Sequence, residues 1–383
     1  MTQPQTLPQP SRLLSLDFLR GFIMALLCLS STGIYDNLEE IYRGTTFHHF
    51  IQQFVHHPWN GLRFWDLVQP GFMFMAGTAM AFSLSKQQQM GMSWNESFLK
   101  TLKRCAWLFF FGVLDYAVRP KGLSFELWDV LTQLSFTIMV AFLIFRWSVM
   151  AQIGVCIGLL LLTEILYRFT NIPGFDQPFT DQHNFGNYMD LVLMNKINGD
   201  GWVAINCVPT AVHTIAGALA GKLLLASTPL SHRTSAPPSH SIDRSIQMMI
   251  IWGVICLVVG FALDWSGVTP IIKRIATSSF TIASLGWCLF ALSFCYWWID
   301  VKDHKKYLKF FLVFGMNSIF IYVFFEIVGG RWFNGYIGAI TNGLMGFINT
   351  PEVLSMVITA FCIFMLEWLL CYFLYKKKIF FKV

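Results

Sequence analysis

Charge is scarce in this sequence. Asp, Glu, Lys and Arg make up 13% of its 383 residues, about half the 25% of an average soluble domain. That scarcity excludes an ordinary water-soluble globule, which would lack the polar surface to cover itself, and it excludes disorder. A P-loop, a dinucleotide fingerprint, a Cys-x-x-Cys pair and a nucleophile-elbow motif are also missing. No internal repeat is evident, which weighs against an inverted-repeat transporter. Polar loops carrying cysteine are absent as well. Cys28, Cys105, Cys156, Cys207, Cys256, Cys288, Cys295, Cys362 and Cys371 all fall in apolar runs and read as buried small hydrophobes, without a disulfide framework.

What is present is apolar. Hydrophobic residues make up 55% of the chain and the mean hydropathy is +0.55, so lipid must cover much of the surface. The fold class expected is all-α: a polytopic transmembrane helical bundle forming one integral membrane domain. A bilayer core needs about 20 mostly apolar residues per helix. Ten candidate spans meet or approach that length: 18–35, 63–85, 104–118, 128–145, 147–167, 203–226, 247–265, 279–299, 310–328 and 352–375. The third is short. Gly335–Ile348 is apolar but too short to span, and reads as interfacial or re-entrant.

Basic residues set the orientation. With the N-terminus cytoplasmic, eighteen of the 27 Lys and Arg lie inside, among them Arg12, Lys100, Lys103, Arg104 and the Lys376–Lys378 run. An even number of spans puts the C-terminus inside too. No cleavable signal peptide is expected, because the first apolar run lacks a small-residue cleavage site. Ser227–Ser245, rich in Ser, Pro and His, reads as a flexible inner link between six spans in 12–226 and four in 246–375. The sequon Asn95-Glu96-Ser97 falls inside. With no outer sequon, a bacterial plasma membrane is favoured. The positives track the inner face, so nucleic acid is not an expected partner; the bilayer is, and a homodimer is left open.

Ionisable groups within spans are costly and mark candidate sites. Asp17 and Arg20 sit three apart at the inner mouth of the first span, where they can pair on one helix face. His56-His57-Pro58-Trp59-Asn60-Gly61 leads to Asp66 on the outer side. A histidine there supplies a base near neutral pH; Asp66 can fix its tautomer and Asn60 can donate to an oxyanion. Gln69-Pro70 breaks the apolar pattern at depth and suggests a cavity-facing helix. His48, His49, His56 and His57 cluster, but their spacing matches no zinc pattern and no metal is expected. Asp115, Asp129, Glu164, Asp264, Glu326 and Glu367 read as packing or interfacial groups. His213 stands mid-span behind Pro209, with Gly217 and Gly221 allowing close helix approach.

Several stretches resemble the heparan-alpha-glucosaminide N-acetyltransferase family and its bacterial relatives. These are Arg12–Gly21, His56-x-x-Trp59-Asn60-Gly61, Asp66–Gly77, Pro209–Gly221, Thr277–Phe280 and Phe314–Tyr322. They run in order from about residue 12 to 325. The resemblance implies transfer of an acetyl group from cytosolic acetyl-CoA to an extracytoplasmic amino sugar or glycan. It places the catalytic histidine on His56, either as general base or as a transient acetyl carrier. Asn60 and Asp66 would orient it. Ser278, Ser279 and Asn317 would bind the acyl carbonyl or pantetheine, with Asp17, Arg20 and His213 also assigned to the donor. Gln69 departs from the family, which has phenylalanine before the proline. Transport of a small solute, or acylation of a sugar hydroxyl, is the competing expectation.

Overall fold

A computed structural model describes residues 13–119, 123–227 and 239–381. Arg12, Lys121, Arg233, Lys382 and most of the proposed Ser227–Ser245 link lie outside the described residues; helix resumes at Ser239, inside that link.

Helix is the only regular structure among the described residues. The elements are α1 Leu14–Ser31, α2 Ile34–Ile41, α3 His48–Ile51, α4 Val68–Gln89, α5 Trp94–Ala117, α6 Val130–Leu143, α7 Val149–Phe169 and α8 Phe185–Met194. They continue with α9 Cys207–Ser227, α10 Ser239–Trp265, α11 Ser278–Cys295, α12 Leu308–Met316, α13 Ser318–Phe324, α14 Asn334–Phe347 and α15 Glu352–Lys376. Seven helices among the described residues are long and apolar enough to cross a membrane, eight if the bent α12–α14 run counts as one. The apolar stretch of α7 is only 11% buried and that of α10 only 17%. Such faces are stable only against lipid.

Several sequence boundaries move. The third expected span, 104–118, lies in a longer helix: α5 begins at Trp94, where Ser93 and Glu96 form a capping box that satisfies free N–H groups of the first turn. With Lys100, Lys103 and Arg104, α5 is not among the seven helices apolar enough to cross, and α6, 14 residues long, is shorter than a crossing helix. Gly335–Ile348 is not separate either. A π-helical stretch, Phe325–Phe333, joins α13 to α14, and the whole run bends by 74° against α12. The nine cysteines are all free, five buried and four half-buried.

Glycines set the central contact. A Cβ on Gly77 would strike the Thr214 carbonyl, and one on Gly217 the Phe74 carbonyl, so α4 and α9 touch backbone to backbone. Alongside, Thr214 bonds Thr137 of α6 at 3.0 Å. Gly217→Val is expected to cost about 3 kcal/mol through overpacking against rigid backbone. A thermal unfolding curve in detergent checks this; an unchanged midpoint contradicts it.

Candidate functional site

The segment joining α3 to α4 is shaped by its sequence. Pro58 keeps His57 extended. Gly61 takes φ +149°, and a Cβ there would run into the His57 ring, so only glycine fits. The Gly61 amide donates to the Ile271 carbonyl at 2.8 Å, and Asn60 pairs with Ile272 as an isolated bridge. These contacts clamp the His56 loop onto the chain between α10 and α11. Asp66 then caps the short helical turn Phe64–Leu67 from within it, its Oδ2 accepting from the Arg63 amide at 2.9 Å. Pro70 falls in the first turn of α4, where a missing N–H costs nothing.

His56 and Asp66 come together. Nδ1 of His56 lies 3.1 Å from Oδ1 of Asp66, which is 1% exposed. The Arg63 guanidinium donates to the His56 carbonyl at 3.0 Å. Lys273 also arrives, its Nζ 3.1 Å from the same Nδ1 and 3.7 Å from Asp66 Oδ1. The Asp66 charge is thus buried with a cation and an amide donor beside it, which offsets its desolvation. Burial, and then the Lys273 ammonium, hold the His56 imidazole below its ordinary 6.5, so it is neutral at neutral pH. Burial lowers Lys273 to about 8, with Arg274 adding to the effect and Asp66 opposing it. His57 is lowered by burial and by Arg63.

This group opens into a cavity of about 340 Å³, at the small end of ligand pockets. Trp65 and Trp202 stand beside His56, with ring centroids 6.3 and 5.6 Å away. Met24, Gln69 and Phe72 line the cavity. The departure at Gln69 therefore faces the cavity, where its amide bonds Gln133 of α6. Asp115, Asp129 and Glu326 also line the cavity. Arg119 and Arg331 hold Asp115 at 2.7 and 3.2 Å, and Tyr322 donates to Asp129 at 2.8 Å.

Other candidates disperse. Asn60 is exposed, and its side chain neither bonds His56 nor lines the cavity; its backbone does the work. His213 is fully buried and bonds Ser284 Oγ at 2.8 Å, bridging α9 to α11. Ser279 donates to the Pro270 carbonyl at 2.8 Å and braces the loop that carries Lys273. Ser278 faces a separate cleft with Arg168 and Thr269. Asn317 sits at the α12–α13 break and ties down the C-terminal tail through Ile379 and Phe381. Asp17 and Arg20 pair at 3.5 Å, but seven residues separate Asp17 from Met24 on α1, about 10 Å. Among the described residues no group of three or more His, Cys, Asp or Glu could hold a metal.

Sequence reasoning missed Lys273 and Trp202. No local pattern marks either residue.

Residues 12–198 match the model of a domain of unknown function, DUF5009. The match takes in the opening motif, His56, Asp66 and the acidic wall as far as Asp129, and stops before Lys273. No curated protein matches the chain.

Proposed function

We propose that this chain is a transmembrane acyltransferase. It moves an acetyl group from cytosolic acetyl-CoA to an amino sugar on the extracytoplasmic side. The observation that carries this reading is the neutral His56 held by buried Asp66 on the wall of a cavity large enough for one sugar unit. A neutral imidazole with its far nitrogen open can take the proton from an attacking amine, and Asp66 stabilises the imidazolium that forms. Alternatively Nε2 itself attacks the thioester carbon; the C–S bond breaks and coenzyme A leaves as the thiolate, which takes a proton from water. The acetyl-imidazolium, its Nδ1–H held by Asp66, then passes the acyl group to the amine, which gives up its proton to water as neutral His56 is restored. Trp65 and Trp202 suit the apolar face of a sugar ring.

The membrane reading is a chain of ten passes with both termini cytoplasmic, in a bacterial plasma membrane. In support, loops expected outside meet one another: the His56 loop meets Lys273 and Trp202, and Trp59 donates to the Phe179 carbonyl at 2.7 Å. Loops expected inside also meet: Asp300 accepts from the Leu14 and Ser15 amides at 3.1 and 3.0 Å. Phosphates of the donor cannot enter hydrocarbon, so the acyl arm alone would thread the packed stretch of α1 between Asp17 and Met24.

A second reading, a solute pathway, draws on the broken α12–α14 run and on Glu367, fully buried in α15, features found in transporters. Addition of acetyl-CoA and glucosamine to purified protein separates the two. Acyl transfer releases free coenzyme A in step with N-acetylglucosamine; a transporter releases none.

A further inference from the structure

The arrangement around His56 contains a conflict that one residue decides. Nδ1 is 3.1 Å from Asp66 Oδ1 and 3.1 Å from Lys273 Nζ. An imidazole nitrogen has one in-plane bonding site. As N–H it donates to the carboxylate; as a lone pair it accepts from the ammonium. It cannot do both. The choice fixes the other nitrogen, because a neutral imidazole carries one proton. With Asp66 as partner, Nε2 is bare and basic. With Lys273 as partner, Nε2 bears the proton and is no base. Nε2 itself has no protein partner among the described residues, and His56 lines the cavity.

Lys273 is built into place. It is 6% exposed and comes from a loop held at both ends. The Ile271 amide donates to Asp264 at 2.8 Å, the Ile272 amide to Thr277 Oγ1 at 3.0 Å, and Thr277 and Ser279 both donate to the Pro270 carbonyl. The Trp202 ring lies 5.3 Å from the ammonium. A lysine buried this firmly, 217 residues from His56 in sequence, is placed for a purpose other than a surface charge.

We propose that Lys273 is a positioning residue that sets the His56 tautomer. At rest it donates to Nδ1 and keeps the proton on Nε2. An oxygen ligand in the cavity, such as an acyl carbonyl, draws the ammonium off; Nδ1–H then closes on Asp66 and the Nε2 lone pair faces the acceptor. One proton passes from Nε2 to cavity water and one returns from water to Nδ1, so net charge is unchanged. This rests on His56 as the reacting side chain of the proposed transferase.

The test needs no acyl transfer. Diethyl pyrocarbonate acylates a bare imidazole nitrogen, and its rate at His56 is read by peptide mass spectrometry on the full-length chain in detergent. At about pH 7, Lys273→Met is expected to label roughly tenfold faster than wild type, and Lys273→Arg, whose guanidinium still donates, as slowly as wild type. Wild-type labelling should also rise as pH passes about 8, where Lys273, facing Asp66, His56 and Arg274, loses its proton; Lys273→Met should stay flat. Equal rates in wild type and Lys273→Met overturn the proposal. If that variant does not fold, the nitrogen-15 shifts of His56 in the wild-type chain decide: a proton on Nδ1 rather than Nε2 in the ligand-free protein overturns the proposal. Should labelling fail while coenzyme A is still released, the transferase stands and only tautomer control falls. Should no coenzyme A be released, labelling still reports on Lys273.

Discussion

Alanine at position 56 is expected to lower acetyl transfer by about 10⁴-fold if His56 is a base, and to background if it carries the acetyl group. The fold should survive the change. The partners of His56, Asp66 and Lys273, already stand 3.7 Å apart, close enough to pair without it. Coenzyme A release and gel-filtration behaviour check both halves of the expectation. A His56→Ala protein that transfers at the wild-type rate removes the residue from the chemistry. Incubation with labelled acetyl-CoA and no acceptor separates the two roles: label trapped on His56 marks the carrier, and none marks the base. The pH dependence has a definite sign. The active form is the neutral imidazole, present above its pKa in the folded protein, and that value is held below 6.5 by burial and Lys273. Transfer limited by His56 should stay level from about pH 8 down to 6.5 and fall only at lower pH. A loss centred above 6.5 contradicts the environment described.

Asp66→Asn is expected to cost about 10³–10⁴-fold in transfer. The amide keeps the size and its oxygen still accepts from the Arg63 amide. It no longer carries the charge that selects Nδ1–H and stabilises the imidazolium. It also strips buried Lys273 of its counter-charge, and breaking one half of a buried pair is destabilising by about 3–5 kcal/mol. The double variant Asp66→Asn, Lys273→Met should recover much of that stability and none of the transfer. Thermal unfolding and coenzyme A release measure the two effects separately. A single variant with full activity would show that His56 does not need the carboxylate.

Local features were legible in the sequence. The lack of charge pointed to helices in lipid, and the structure holds seven to eight helices of crossing length among the described residues. His56 and Asp66 were legible because ten residues and one tight turn separate them. The start of α5 was not, since its first three turns carry Lys100, Lys103 and Arg104, which break the apolar pattern. Lys273 and Trp202 were hidden for a different reason: they reach His56 only because the α10–α11 loop and the α8–α9 loop fold over it. Ser279 and Asn317 had the opposite fate. Their motifs stand out, yet in the fold they brace loops, and a hydrogen bond that holds a loop looks in sequence like one that holds a ligand.

The most direct measurement encloses glucosamine in proteoliposomes bearing the purified chain and adds acetyl-labelled acetyl-CoA outside. Protein oriented with its termini outward should leave labelled N-acetylglucosamine inside and an equal amount of free coenzyme A outside, with neither product from His56→Ala. Intact acetyl-CoA outside and unlabelled sugar inside, from protein that is folded and correctly oriented, would contradict transfer across the membrane.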